Sequence, residues 1–177
     1  MSIFNLFQNR YKKPAYSLYQ RLVEQARSPL FYETLKIEDS IKGRFELILI
    51  HAFLVLHRLK KHKKLGQNLF DLLFYDLDRS IRELGVGDLS VGKKIKSFAE
   101  LFYARIECYE KGLDDFDFLK QSLVSFFEKS ALDSLKLADL ALYMTRQVEI
   151  LTKISDTDLI KGEIVFEDPL KDLSKAA

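Results

Sequence analysis

The turn GVGDLSVG, Gly85 to Gly92, spaces its glycines in a way that invites a phosphate-cradling loop. Such a loop needs G-x-G-x-x-G after a strand, or a closing G-K-[ST], so that backbone amides and a helix N-terminus face the anion. No glycine stands three residues after Gly87, and the run follows a helical pattern rather than a strand. Gly85, Gly87 and Asp88 are therefore turn residues. Asp71, Asp76 and Asp78 offer the carboxylates that acid–base catalysis uses, but Arg79, Arg82 and Glu83 lie at pairing distance along one helix. Asp76 with Arg79, Asp78 with Arg82 and Arg79 with Glu83 make a salt-bridged surface. Cys108 has Arg105 and Lys111 within one turn, cations that favour a thiolate, yet no histidine is near to act as base. His51 is five residues from Glu46 and six from His57, which is not the three- or four-residue spacing of helical metal ligands. His51 reads as a core histidine. With no Ser–His–Asp order either, the sequence points to no catalytic, cofactor or metal residue, and an enzyme is not expected.

The elements around these residues read as helices. Phe70, Phe74, Leu77, Ile81 and Leu84 recur at three- and four-residue steps, and so do Val91, Ile95, Phe98, Phe102, Ile106 and Tyr109. Gly85 between them suits the left-handed residue that closes a helix, and Asp88 or Ser90 suits the cap that opens the next. The pair is a helical hairpin. Upstream, Pro14 is expected in a first helical turn, with Ala15, Tyr19, Leu22 and Ala26 facing inward before Pro29. Leu30 to Ile37 reads as one short helix. Asp39 or Ser40 caps a helix whose segment Phe45–Leu56 is apolar around most of its circumference. That segment is expected at the bundle centre, with Arg58 to Lys64 continuing the helix. Asp114 and Asp115 open a further helix, and Asp133 or Ser134 the last long one. The expected organisation is all-α: residues 1–13 an N-terminal arm, 14–155 one bundle of about six or seven helices, 156–177 a tail with a short extended piece at Ile164 to Phe166. Tyr75, Tyr103 and Phe118 lie off the inner stripes and are candidates for exposed apolar surface.

At 177 residues one domain is expected. The 28 Lys plus Arg against 26 Asp plus Glu leave a net charge of +2, which excludes a globally basic nucleic-acid binder; no DNA partner is expected. The single cysteine permits no intrachain disulfide. The apolar segment Phe45–Leu56 falls short of the ~20 residues that span a bilayer, and MSIFNLFQNRYKKP puts bulky residues before its charges, unlike a secretory signal.

The stretch LFDLLFYDLDRSIRELGVGDLSVGKKIKSFAELFYARIECY closely resembles the core of the ubiquinol–cytochrome c chaperone family, and RELGVGDLSVGKKIK matches it as a continuous run. ARSPLFY and GRFELILIHAFLVLHRL resemble the family too, so the likeness extends from about Tyr19 to Leu151. The resemblance implies an assembly chaperone of the cytochrome bc1 complex with cytochrome b as client, and no catalytic residue. In mitochondrial relatives it implies a small partner protein and a ribosome contact. The short chain, without an Arg- and Ser-rich leader, reads as a bacterial member. That implies a cytoplasmic chain, peripheral at the inner membrane, or a matrix protein if eukaryotic.

Two basic clusters are the candidate partner-binding residues. The first is Arg58, Lys60, Lys61, Lys63 and Lys64; the second is Lys93, Lys94 and Lys96. The first is expected at a helix C-terminus, where the dipole favours cations, and the second in the opening turns of a helix, where it opposes them. The rival reading is a peripheral membrane- or RNA-binding module acting through these clusters. Phe4, Leu6 and Phe7 followed by Arg10, Lys12 and Lys13 are a further membrane-facing candidate.

Overall fold

The computed structural model describes residues 3–127 and 134–169, and it is all-helical, with no strand among them. Six helices have twelve residues or more: α1 Ile3–Ala26, α3 Ile41–Arg58, α4 Lys63–Glu83, α5 Asp88–Asp114, α6 Phe116–Phe127 and α7 Ser134–Lys153. Two short ones, α2 Pro29–Glu33 and α8 Asp156–Lys161, complete the set. The expected all-α bundle around a central apolar helix is borne out.

The central position of α3 follows from its composition. Leu47, Ile50, Phe53 and Leu54 are buried, and α1, α5 and α7 pack around them. Ser40 caps the helix, its hydroxyl accepting from the Gly43 amide at 3.2 Å. Two polar side chains inside α3 are fully partnered. Glu46, 2% exposed, meets the Arg105 guanidinium of α5 through two hydrogen bonds of 2.7 and 3.0 Å. His51 lies 2.7 Å from the Leu47 carbonyl through Nδ1 and 2.8 Å from the Tyr143 hydroxyl through Nε2. Gln25 donates to that hydroxyl at 3.1 Å. The tyrosine proton therefore goes to Nε2, and the Nδ1–H donates to Leu47.

That network holds His51 neutral. Burial pushes its pKa down to about 4 against the lesser, opposing effect of the Leu47 hydrogen bond. The folded value lies below the ordinary ~6.5 of an unfolded chain, so this part of the stability is complete above pH ~6.5 and declines as pH falls toward 4. The expected loss is about 2 kcal/mol by pH 5 and about 3 kcal/mol by pH 4. Urea denaturation between pH 7.5 and 4.5 measures it. His51→Gln should flatten the slope whatever its effect on stability at pH 7.5, and an unchanged slope would mean that His51 does not titrate on unfolding.

The α4–α5 hairpin is closed as expected at Gly85, which has φ +80°. The Val86 amide donates to Ile81 and the Gly85 amide to Arg82, the double bond pattern that ends a helix on a left-handed residue. Asp88 differs from expectation: Gly87 occupies the cap position, and Asp88 is the first residue of α5. Its carboxylate pairs with Arg82, which also holds Asp78 at 2.7 Å. The Arg79–Glu83 pair forms at 2.8 Å, whereas Asp76 accepts from the Tyr19 hydroxyl instead of Arg79.

Four helix boundaries depart from the sequence expectation. Pro14 lies inside α1, so residues 3–13 continue that helix rather than forming a separate arm; the cost is one missing backbone donor. The segment expected as one helix from Leu30 to Ile37 stops at Glu33, and Lys36 takes a positive φ of 59°. α3 ends at Arg58 in a 3₁₀ turn, Leu59–Lys61, because the buried Leu59 draws the chain back onto the core. Asp114 ends α5 instead of opening α6; Asp115 caps α6, accepting from the Phe118 amide at 3.0 Å. Asp133 lies outside the described residues.

Residues expected as a tail also pack on the bundle. Leu159 and Ile164 are buried, and Phe166 meets the His51 ring edge-on at 5.3 Å. Gln147, itself buried, accepts from the Glu167 amide at 3.0 Å and donates to its carbonyl at 3.3 Å. Residues 163–168 form no strand.

Candidate functional site

Between α1, α3, α4 and α5 lies an open cleft of about 460 Å³. Its walls arise from helical spacing. Ile41, Phe45, Ile48 and Ala52 follow one face of α3, and Leu73, Leu77 and Leu84 one face of α4. Phe98 and Phe102 of α5 close the far side. Phe45 packs on Phe98 at 4.8 Å and Phe74 on Phe102 at 5.9 Å, so the aromatic rings brace one another. The α4 and α5 stripes were visible in the sequence, but the cleft they form with α3 does not close at its outer end. Ile41 is 79% exposed and Leu84 71% exposed at the cleft mouth, because both sit at helix ends with no further turn to cover them.

Few polar groups share the cleft. Tyr19 donates to Asp76, and its hydroxyl is held well above the ordinary tyrosine range, first by burial and then by the Asp76 carboxylate. Arg27, Arg44, Ser80 and Glu83 sit at its edge; Arg44 pairs with Asp39, and Glu83 with Arg79. A mostly apolar cleft of this size with a sparse polar rim is the form of a binding site. Among the described residues, no three His, Cys, Asp or Glu side chains gather as metal ligands.

The basic clusters occupy opposite ends of α4. Its 21 residues separate them by ~30 Å at 1.5 Å per residue. Within the first cluster, Arg58 is structural: it donates to the Leu151 and Ile154 carbonyls at 2.9 and 2.7 Å and pairs with Asp156 at 2.7 Å, closing the end of α7. Lys60 pairs with Glu110 at 2.6 Å. Lys61, Lys63 and Lys64 are exposed. The dipole contrast expected from the sequence is corrected here. Lys63 and Lys64 open α4, where the dipole opposes them, while Lys93 and Lys94 lie in the second turn of α5, where it has faded. Lys96 stands 3.9 Å from Glu100. Tyr75 and Tyr103 are exposed, as their off-stripe positions suggest, and Phe118 marginally so.

The cleft residues themselves were not singled out in the sequence, since only the packing of four helices makes them neighbours. The sequence signals were the apolar stripes of α4 and α5, the first running on to Leu84 just past the end of its helix.

The profile of the ubiquinol-cytochrome C chaperone family matches residues 33–166. A ubiquinol-cytochrome-c reductase complex assembly factor 1 of Xenopus laevis is 24% identical over 162 residues, 88% of this chain and 81% of that protein. The Homo sapiens counterpart is 24% identical over 160 residues, 86% of this chain and 54% of its own. The chain thus spans about half the length of the mouse and human relatives. The crystal structure of the Cbp3 homolog from Brucella abortus is similar with a TM-score of 0.84 and 31% identity, covering 96% of this chain and 99% of that one. The family profile covers most of the chain and the solved relative shares its fold: the chain belongs to the ubiquinol–cytochrome c chaperone family.

Proposed function

We propose that this chain is an assembly factor of the ubiquinol–cytochrome c reductase complex that holds newly made cytochrome b, with the α1–α3–α4–α5 cleft seating an apolar segment of that client. The observation that carries the reading is the cleft itself. A membrane-protein client presents apolar surface before it is inserted or assembled, and the cleft offers apolar walls with exposed Ile41 and Leu84 at its mouth. Among the described residues no helix is long and apolar enough to cross a membrane.

Deleting the gene in a respiring host should lower cytochrome b and bc1 activity while other respiratory complexes persist. Normal bc1 levels in the deletion strain would remove the assembly reading. Capture of the client should resist added salt, whereas binding to RNA would weaken steeply with it.

A further inference from the structure

One end of the bundle presents exposed aliphatic side chains beside lysines that no carboxylate holds. α3 begins, α4 ends and α5 begins there, since Ile41, Leu84 and Phe98 border one cleft and Phe45 packs on Phe98. Leu89, in the first turn of α5, is 95% exposed, more than Ile41 or Leu84. Val91 is buried, which turns Leu89, Lys93 and Lys96 outward together at positions i, i+4 and i+7. The carboxylates at this end are mostly engaged by arginines: Asp78 and Asp88 by Arg82, Glu83 by Arg79, and Asp39 by Arg44. Among the described residues, Lys42, Lys93 and Lys94 make no ion pair, while Glu38 has no cation partner and Asp76, inside the cleft, accepts from the Tyr19 hydroxyl.

We propose that this end of the bundle docks on an anionic lipid bilayer. Leu84 and Leu89 enter the headgroup boundary, and Lys42, Lys93 and Lys94 lie among the phosphates, their stems over apolar surface. Charge decides against a neutral surface, and side-chain type decides against nucleic acid. The projecting groups Ile41, Leu84 and Leu89 are aliphatic, so they offer unpaired bases no ring to stack on. The docking goes beyond the client reading and does not depend on it, although it would set the cleft mouth at the membrane surface.

The test uses the full chain with vesicles of phosphatidylcholine, alone or with phosphatidylglycerol added. The chain has no tryptophan, so Leu89→Trp reports from the proposed contact alone. Its emission should move to shorter wavelength with the anionic vesicles and stay in place with the neutral ones. In flotation, Lys93→Gln with Lys94→Gln should lower the partition coefficient roughly thirtyfold, from about 1 kcal/mol for each lysine near an anionic surface. Leu84→Ser with Leu89→Ser should lower it at least as much. Lys61→Gln, Lys63→Gln and Lys64→Gln at the far end should leave most binding intact. All these positions are exposed, so an unchanged melting temperature confirms that each variant is folded. No emission shift, no flotation, or a loss only in the far-end variant would overturn the proposal. None of these outcomes bears on bc1 levels in a deletion strain.

Discussion

Glu46→Ala is expected to cost about 3–5 kcal/mol, the scale for removing one partner of a buried ion pair. The glutamate is 2% exposed and the facing Arg105 15% exposed, with both carboxylate oxygens engaged. Arg105 also lies 3.4 Å over the Phe126 ring, so the pair ties α3, α5 and α6 together. Without Glu46 the guanidinium stays buried with no anion. The fall in melting temperature should be roughly 6–20 °C for a chain of this size. Replacing both partners, Glu46→Leu with Arg105→Met, should recover most of the loss, since matched apolar groups leave no buried charge behind. A double-mutant cycle in urea measures both effects. A single-variant cost below about 1 kcal/mol would show that Arg105 reaches water once released.

Gly162→Ala should be nearly as damaging, and its comparison with Gly85 separates two causes. Both glycines have left-handed backbones, φ +84° and +80°. At Gly85 an added Cβ meets nothing within 4 Å, so Gly85→Val should cost only the backbone strain, about 1–2 kcal/mol. At Gly162 the added atom would stand 2.6 Å from the Pro14 carbonyl oxygen and 2.9 Å from Ser17 Cβ. Ser17 also donates to the Gly162 carbonyl at 2.9 Å, which holds the two segments together. Strain and overpacking together give about 2–5 kcal/mol for Gly162→Ala. Equal denaturation midpoints for the two variants would mean that the α8 turn yields without cost.

These two sites differ sharply in how far the sequence revealed them. Gly85 ends an apolar stripe and precedes another, so local pattern alone identified its left-handed turn. Gly162 touches Pro14 and Ser17 across nearly the whole chain, and nothing near Gly162 in sequence announces that contact. The same divide runs through the rest of the molecule. The central helix was legible because Phe45–Leu56 is apolar around most of its circumference, and the core role of His51 because no ligand stood at helical spacing. Arg58 stands in sequence beside a run of surface lysines, although its partners at Leu151, Ile154 and Asp156 make it a helix-closing residue. Nothing near Glu46 in sequence points to its ion pair, since its partner Arg105 lies 59 residues away. The cleft was least visible of all. Its apolar residues look in sequence like ordinary core, and only the failure of Ile41 and Leu84 to be covered distinguishes a binding surface from a core.

The central claim, that the cleft seats an apolar segment of cytochrome b, is tested most directly by site-specific photo-cross-linking in respiring cells. Ser80 lines the cleft, is exposed, and makes no hydrogen bond through its side chain among the described residues, so a photoreactive residue there should leave the fold intact. Lys64, at the opposite end of α4, serves as the reference position. Newly made cytochrome b should cross-link to the Ser80 position and not to Lys64. Cross-linking from Lys64 alone, with bc1 assembly proceeding normally in both strains, would contradict the account.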